Sequence, residues 1–184
     1  MTGHSTTAVV IRDATDHDVG TITDIFNQAI PDGNAEWTET LHTEAERREW
    51  MAERISSGRP VIVADAGAVI GVASYGDFRE SSCREGFRFV CEHSVYLDRS
   101  ARGSGVADAL MDELESRAHA AGLRRMIATI DEANPASIAF HARRGFVEVG
   151  RMPDIGYTFG TWRTMVLMQL DLDGDVVLDV TDRV

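Results

Sequence analysis

Apolar positions along the chain recur with two periods, and their succession predicts strands and helices in a mixed order. Residues 8–13 (AVVIRD) read as a strand. A helix follows from about Thr15, with Val19, Ile22, Ile25, Phe26 and Ala29 on one face and Pro31 at its end. After DGNAEWTET a second helix starts at Thr43, where Thr43 and Glu46 have capping-box spacing, and runs through Trp50, Met51 and Ile55 to Gly58. The β-rich runs 60–65 and 68–77 meet across Ala66 and Gly67, which predicts an antiparallel hairpin. The polar stretch 79–87 reads as a loop, and a strand follows from about 88 to 98. The next helix, Gly105 to Ala120, carries a stripe at Ala107, Leu110, Met111, Leu114 and Ala118 and closes at Gly122. A strand at 124–130, a helix from Pro135 to Arg144, a strand at 146–150 and a last strand near 163–171 complete the pattern. This order implies one α/β domain with a mixed, mostly antiparallel central sheet flanked by helices. The domain is expected over 9–172, with an N-terminal tail at 1–8 and an acidic C-terminal tail at 173–184.

Composition narrows what such a domain can bind. The chain has 184 residues, and 18 Lys plus Arg against 30 Asp plus Glu give a formal net charge of −12. Phosphate backbones and anionic membranes need a basic face, so neither nucleic acid nor membrane is an expected partner. An anionic ligand would need a local positive site instead. Two cysteines, Cys83 and Cys91, are too few for a disulfide scaffold or a zinc cluster, and no metal is expected. No run approaches the roughly 18 to 20 apolar residues of a membrane span, and the start MTGHSTTAVV lacks the regions of a signal peptide. A cytoplasmic protein is the expectation.

The most informative segment is Val95 to Leu110, where a strand runs into Arg102-Gly103-Ser104-Gly105-Val106-Ala107 and directly on into an amphipathic helix. Glycines in a tight strand-to-helix turn let successive backbone N–H groups point at one spot, at a helix N-terminus whose dipole favours negative charge. That chemistry suits a pyrophosphate, and Arg102 supplies the local positive charge. On spacing alone an ordinary glycine-rich turn is an equal alternative. A Walker loop would need Gly-Lys followed by Ser or Thr, and a dinucleotide fingerprint a third glycine.

The segment Arg102 to Ala107 matches the Arg/Gln-x-x-Gly-x-Gly/Ala signature of the GCN5-related N-acetyltransferases, and the resemblance runs from about Val9 to Leu172. Within that superfamily Ser74-Tyr75-Gly76-Asp77, Cys91-Glu92-His93-Ser94-Val95-Tyr96-Leu97, Asn134-Pro135-Ala136-Ser137, His141, Gly145-Phe146 and Phe159-Gly160-Thr161-Trp162 resemble the phosphinothricin and methionine sulfoximine/sulfone branch. The resemblance implies acetyl-CoA as co-substrate and a small amino-acid-like amine as acceptor, in an enzyme that is commonly a homodimer. It further implies that Val95, Tyr96, Leu97, Arg102, Gly103, Ser104, Gly105, Val106, Ala107, Asp108, Asn134 and Ser137 hold the coenzyme.

Strand alternation places Phe87, Phe89, Cys91, His93, Val95 and Leu97 on a core face, and Arg88, Val90, Glu92, Ser94 and Tyr96 on the other. Acyl transfer to an amine needs the amine neutral, and a carboxylate can remove its proton. Glu92 is the candidate base, as the family resemblance also implies; the alternative is a structural ion pair with Arg88 or Arg79. His141 stands where superfamily members carry a group that protonates the leaving thiolate. It reads as a general acid, an assisting base or a structural histidine. Asn134 before Pro135 is a helix-cap signature in its own right. An acceptor carboxylate calls for an Arg fork, with Arg79 and Arg88 as candidates. Glu80, Ser81, His93 and Ser94 complete the expected acceptor site, and Trp37, Phe78 and Tyr75 are candidates for its apolar wall.

Overall fold

The computed structural model describes residues 8–79 and 84–174. The assignments of Glu80 and Ser81, the thiol of Cys83 and most of both tails lie outside the described residues. Seven strands form one sheet: β1 (Val10–Asp13), β2 (Val61–Asp65), β3 (Val69–Asp77), β4 (Val90–Leu97), β5 (Arg125–Asp131), β6 (Val147–Thr158) and β7 (Thr161–Asp171). Their order is β1-β2-β3-β4-β5-β7-β6, antiparallel throughout except for the parallel pair β4 and β5. The helices are α1 (Val19–Ala29), α2 (Glu44–Ser56), α3 (Val106–Ala120) and α4 (Pro135–Arg143).

The strand β2 shows why the sheet sits between layers. Its run Val-Ile-Val-Ala is buried at every position, because both faces are covered. Ile62 and Ala64 join Tyr75, Cys91 and the α3 stripe Leu110, Met111, Leu114 and Ala118 in one core. Val61, Val63 and Val72 face the other way, onto Ile22, Ile25 and Phe26 of α1 and Met51 of α2. Local signals close the helices as expected: Thr43 Oγ1 accepts from the Glu46 N–H at 3.2 Å while Glu46 accepts from the Thr43 N–H at 2.8 Å. Ahead of α1, Thr15 donates through its N–H and hydroxyl to Asp18, at 2.7 and 2.9 Å.

Two expectations need correction. The strand expected from 88 starts at Val90, since residues 85–87 form a 3-10 turn, where the Arg88 guanidinium donates to the Glu85 carbonyl at 2.8 Å. Phe87 and Phe89 are therefore not core positions of the ladder, and Phe89 is 45% exposed. From Val90 onward the expected alternation holds, with Cys91 and His93 buried between half-buried neighbours. The expected short strands 146–150 and 163–171 are one long hairpin, β6 and β7. Gly150, Pro153 and Gly156 read as breakers, yet β6 is an edge strand whose ladder absorbs them through irregularities at Glu148/Gly150 and Met152/Gly156.

Candidate active site

The sheet opens where β4 meets β5. Their pairing covers Val90, Cys91 and Glu92 only. Beyond Glu92, β4 continues against β3 as far as Leu97, opposite Gly71, while β5 continues against β7 as far as Asp131. The inner backbone edge of β4 from Ser94 to Leu97 thus has no strand partner among the described residues and borders a cleft of about 1100 Å³. An unpaired row of N–H and C=O groups is a template for an extended ligand arm with amides of its own.

At the outer end of β4, Asp98 caps a 3-10 turn by accepting from the Ser100 N–H at 2.9 Å. The chain then passes Gly103 (φ 76°) and Gly105 (φ 85°) into α3. A Cβ at either glycine would meet open space, so backbone conformation rather than crowding calls for glycine there. Ala109 is the first residue to donate into the helix, to Gly105 O at 3.2 Å, which leaves the N–H groups of Val106, Ala107 and Asp108 available to an anion. Arg102, Gly103 and Ala107 border the cleft. The Ser104 hydroxyl instead closes the turn on Ala101 O at 2.5 Å, and the Asp108 carboxylate pairs with Arg144 at 3.2 Å, so both reach a ligand only through main-chain atoms. Asp32 pairs with Arg102 at 3.3 Å and with Arg99 at 2.9 Å, a restraint on the site's positive charge that no local sequence signal reveals.

Glu92 lies at the fork itself. Its carboxylate accepts from the Thr129 hydroxyl of β5 at 2.7 Å, not from Arg79 or Arg88. Neither arginine borders the cleft: Arg88 is held on Glu85 and stacks over Phe89 at 4.5 Å, and Arg79, with φ 58°, lies 5.5 Å over Phe78. The arginine that does enter the acceptor side is Arg54 of α2. Trp37 forms a wall, its Nε1 donating to Asp131 at 2.9 Å and its ring lying where a Cβ on Gly156 would sit, 2.5 Å away. Tyr75 is buried in the core and also borders the cleft, whereas Phe78 packs on Phe87 at 5.7 Å and does not border it. Ser94 and Tyr96 share the Glu92 face; Tyr96 packs on Phe26 at 4.3 Å and donates to Ala35 O at 3.3 Å. Val95 and Leu97 turn their side chains to the α3 core, as expected, and offer the cleft their backbone.

His141 and His93 close the far wall, with ring centroids 5.1 Å apart and exposures of 4% and 8%. His141 Nδ1 lies 2.7 Å from the Ser137 carbonyl, an acceptor only, so Nδ1 carries the proton and Nε2 the lone pair. Burial pushes the His141 pKa down, and that of His93 down to about 3. An imidazole's ordinary value near 6.5 already lies below neutrality, so a downward shift keeps both rings neutral at pH 7, and the His141 Nε2 lone pair is enclosed from solvent. His141 Nε2 and both His93 nitrogens have no hydrogen-bond partner among the described residues. Asn134 caps α4 as expected, accepting from the Ser137 N–H at 3.1 Å. Burial pushes the Cys91 thiol up to about 12, which removes it as a nucleophile.

The fold that carries this strand fork and glycine turn is shared with known proteins. The family model described as the acetyltransferase (GNAT) family matches residues 22–146. The chain belongs to this family. It is an N-acetyltransferase of the GNAT type. The acetyltransferase is 44% identical over 165 residues to the L-methionine sulfoximine/L-methionine sulfone acetyltransferase of Pseudomonas aeruginosa, covering 89% of this chain and 94% of that one. Among solved structures, a GNAT superfamily phosphinothricin acetyltransferase from Sinorhizobium meliloti, in complex with acetyl-CoA, is 39% identical with a TM-score of 0.83 over 89% of this chain and 88% of that one. A Salmonella typhimurium protein solved with its cofactor acetyl-CoA is 36% identical with a TM-score of 0.85 over 94% and 99%. No helix among the described residues of the acetyltransferase is long and apolar enough to cross a membrane.

Sequence reasoning missed Thr129 and Arg54. Alternation along β5 does put Thr129 on the face of Ile127 and Asp131, where an exposed hydroxyl in an apolar strand is a weak signal. Arg54 carries no local signal, because only the packing of α2 on α1 and β2 brings its side chain over Gly76 and to the cleft.

Proposed function

We propose that this acetyltransferase moves the acetyl group of acetyl-CoA directly onto the α-amine of a small amino acid of the methionine sulfone, methionine sulfoximine or phosphinothricin type. The observation that carries the reading is the fork: one carboxylate, Glu92, at the point where β4 leaves β5, with an open backbone edge running from it to the glycine turn. The chain fits the coenzyme, since free N–H groups, left-handed glycines and Arg102 suit a pyrophosphate, and Ser94 to Leu97 suit an amide-bearing arm. Bound acetyl-CoA supplies an activated acetyl thioester. Glu92, held by Thr129, accepts a proton from the acceptor's ammonium group and frees the nitrogen lone pair for attack; the C–N bond forms, the C–S bond breaks, and the second proton that the new amide nitrogen sheds passes to the departing coenzyme thiolate. Backbone N–H groups of the open β4 edge stabilise the negative charge that develops on the acetyl oxygen. His141 borders the same cleft, and with Nδ1 held on the Ser137 carbonyl and Nε2 enclosed it takes the structural alternative among its possible roles.

The enzyme is further proposed to act in the cytoplasm as a homodimer. Ile155, Tyr157, Phe159 and Trp162, 47 to 61% exposed, crowd the tip of the β6–β7 hairpin, the kind of apolar surface a second copy covers. The deciding experiment measures thiol release from acetyl-CoA with methionine sulfone, methionine sulfoximine, phosphinothricin, methionine and a short peptide in parallel. Turnover of one of the first three is expected, with Glu92→Gln lowering kcat roughly 10²–10⁴-fold at unchanged acetyl-CoA affinity. Release with the peptide alone, or an unchanged rate for Glu92→Gln, would overturn the reading.

A further inference from the structure

We propose that Arg54 holds the carboxylate of the acceptor and so makes the enzyme selective for amino acids over simple amines. The proposal rests on the acceptor and base assignments above. Its starting point is Gly76 of β3. A Cβ built there would lie 1.3 Å from Arg54 Nη1 and 2.2 Å from Arg54 Cζ, so the guanidinium occupies the space that any side chain at 76 would take. Gly76 is the direct antiparallel partner of Glu92. Facing residues on such a pair project on the same side with Cβ atoms about 5 Å apart, so the guanidinium lies beside the Glu92 side chain, on the cleft face.

That separation is a ruler for the ligand. In an α-amino acid the amine and the carboxylate share one carbon. A ligand whose amine is at Glu92 must therefore place its carboxylate within a few ångströms, and Arg54 is the cation at that distance. Glu92 is occupied on its β5 side by Thr129, which leaves the β3 side, where Arg54 lies, to the ligand. Arg54 is also available. Its nearest charged neighbour in sequence on the strand, Asp77, accepts from Arg59 Nε at 2.7 Å, and Arg54 itself makes no ion pair or side-chain hydrogen bond among the described residues. Its nearest ring is Trp50, one helical turn earlier on α2, at 5.9 Å. A half-buried guanidinium without a carboxylate, in a chain of net charge −12, is a ready site for a planar anion.

The test compares methionine sulfone with its decarboxylated amine in the full-length enzyme. Wild type should prefer the amino acid. Arg54→Gln should raise KM for methionine sulfone roughly 10- to 100-fold, leave kcat/KM for the amine nearly unchanged and leave acetyl-CoA affinity intact. Arg54→Lys should restore part of the preference. Gly76→Ala, which displaces the guanidinium from the strand side, should reproduce the Arg54→Gln pattern and serves where that variant folds poorly. Equal losses on both substrates, or an unchanged preference, would overturn the role of Arg54 while leaving the acceptor assignment standing. A wild-type enzyme indifferent to the carboxylate would instead refute the acceptor assignment, and the role of Arg54 with it.

Discussion

Replacing His93 by leucine should stabilise the protein while impairing it. The ring is buried, both of its nitrogens lack a hydrogen-bond partner among the described residues, and it packs against His141 and Phe146 at 5.1 and 5.4 Å. An unsatisfied buried polar group costs about 1–3 kcal/mol, and leucine fills a similar volume without that cost. At pH 8 the variant should gain on the order of 1 kcal/mol, or ~2–4 °C in Tm. The pH dependence is sharper. The folded-state pKa of His93 is lowered to about 3 by burial, against roughly 6.5 when unfolded, so the unfolded chain binds the extra proton as pH falls. Stability tied to His93 is therefore full above about pH 6.5 and lost progressively below it, by about 2 kcal/mol between pH 7 and pH 5. The leucine variant drops this one-proton loss, so its advantage should widen by about that amount at pH 5. Urea unfolding at pH 8, 7, 6 and 5, read by tryptophan fluorescence and by circular dichroism, measures both quantities. A variant less stable than wild type at pH 8 would mean that the nitrogens are satisfied, and an unchanged pH slope would mean that His93 is not held neutral. His93 borders the cleft, so acetyl transfer should fall even as stability rises.

Further outcomes follow from the same geometry. Gly105 adopts φ 85° beside open space, so Gly105→Ala should cost ~1–2 kcal/mol and Gly105→Asn less, because asparagine tolerates that conformation; equal melting temperatures would show that space, not conformation, selects glycine. Gly156→Ala must displace the Trp37 ring, which Asp131 anchors, at a cost of roughly 1–3 kcal/mol, and should weaken acceptor binding while calorimetry finds acetyl-CoA binding unchanged. Asp18 accepts from Arg12 at 2.8 and 2.9 Å and from Thr15, which holds its carboxyl well below the usual carboxylate range. Asp18→Asn should therefore destabilise by roughly 1.5–3 kcal/mol near pH 7, and the difference from wild type should shrink as pH falls below about 4, checked by acid titration of both proteins.

Much of this molecule is determined by signals that act within a few residues. The double-sided burial of β2, the Thr43/Glu46 cap, the cap at Asn134, and the glycines before α3 each follow from local periodicity or backbone need, and they are present in the chain before it folds. Even the facing of Glu92 follows, because alternation on a strand has a period of two. Three features were decided only in three dimensions. Gly150, Pro153 and Gly156 interrupt the pattern of β6, and only its edge position lets the strand continue through them. The departure of β4 from β5 after Glu92 is a property of two strands whose paired positions, such as Glu92 and Ile127, are far apart in sequence, each strand drawn to its other neighbour. The choice among arginines was decided last. Arg79 and Arg88 lie near Glu92 in sequence and turn away from the cleft, whereas Arg54 reaches Gly76 because α2 packs on α1 and β2, and no pattern within any of these segments encodes that packing.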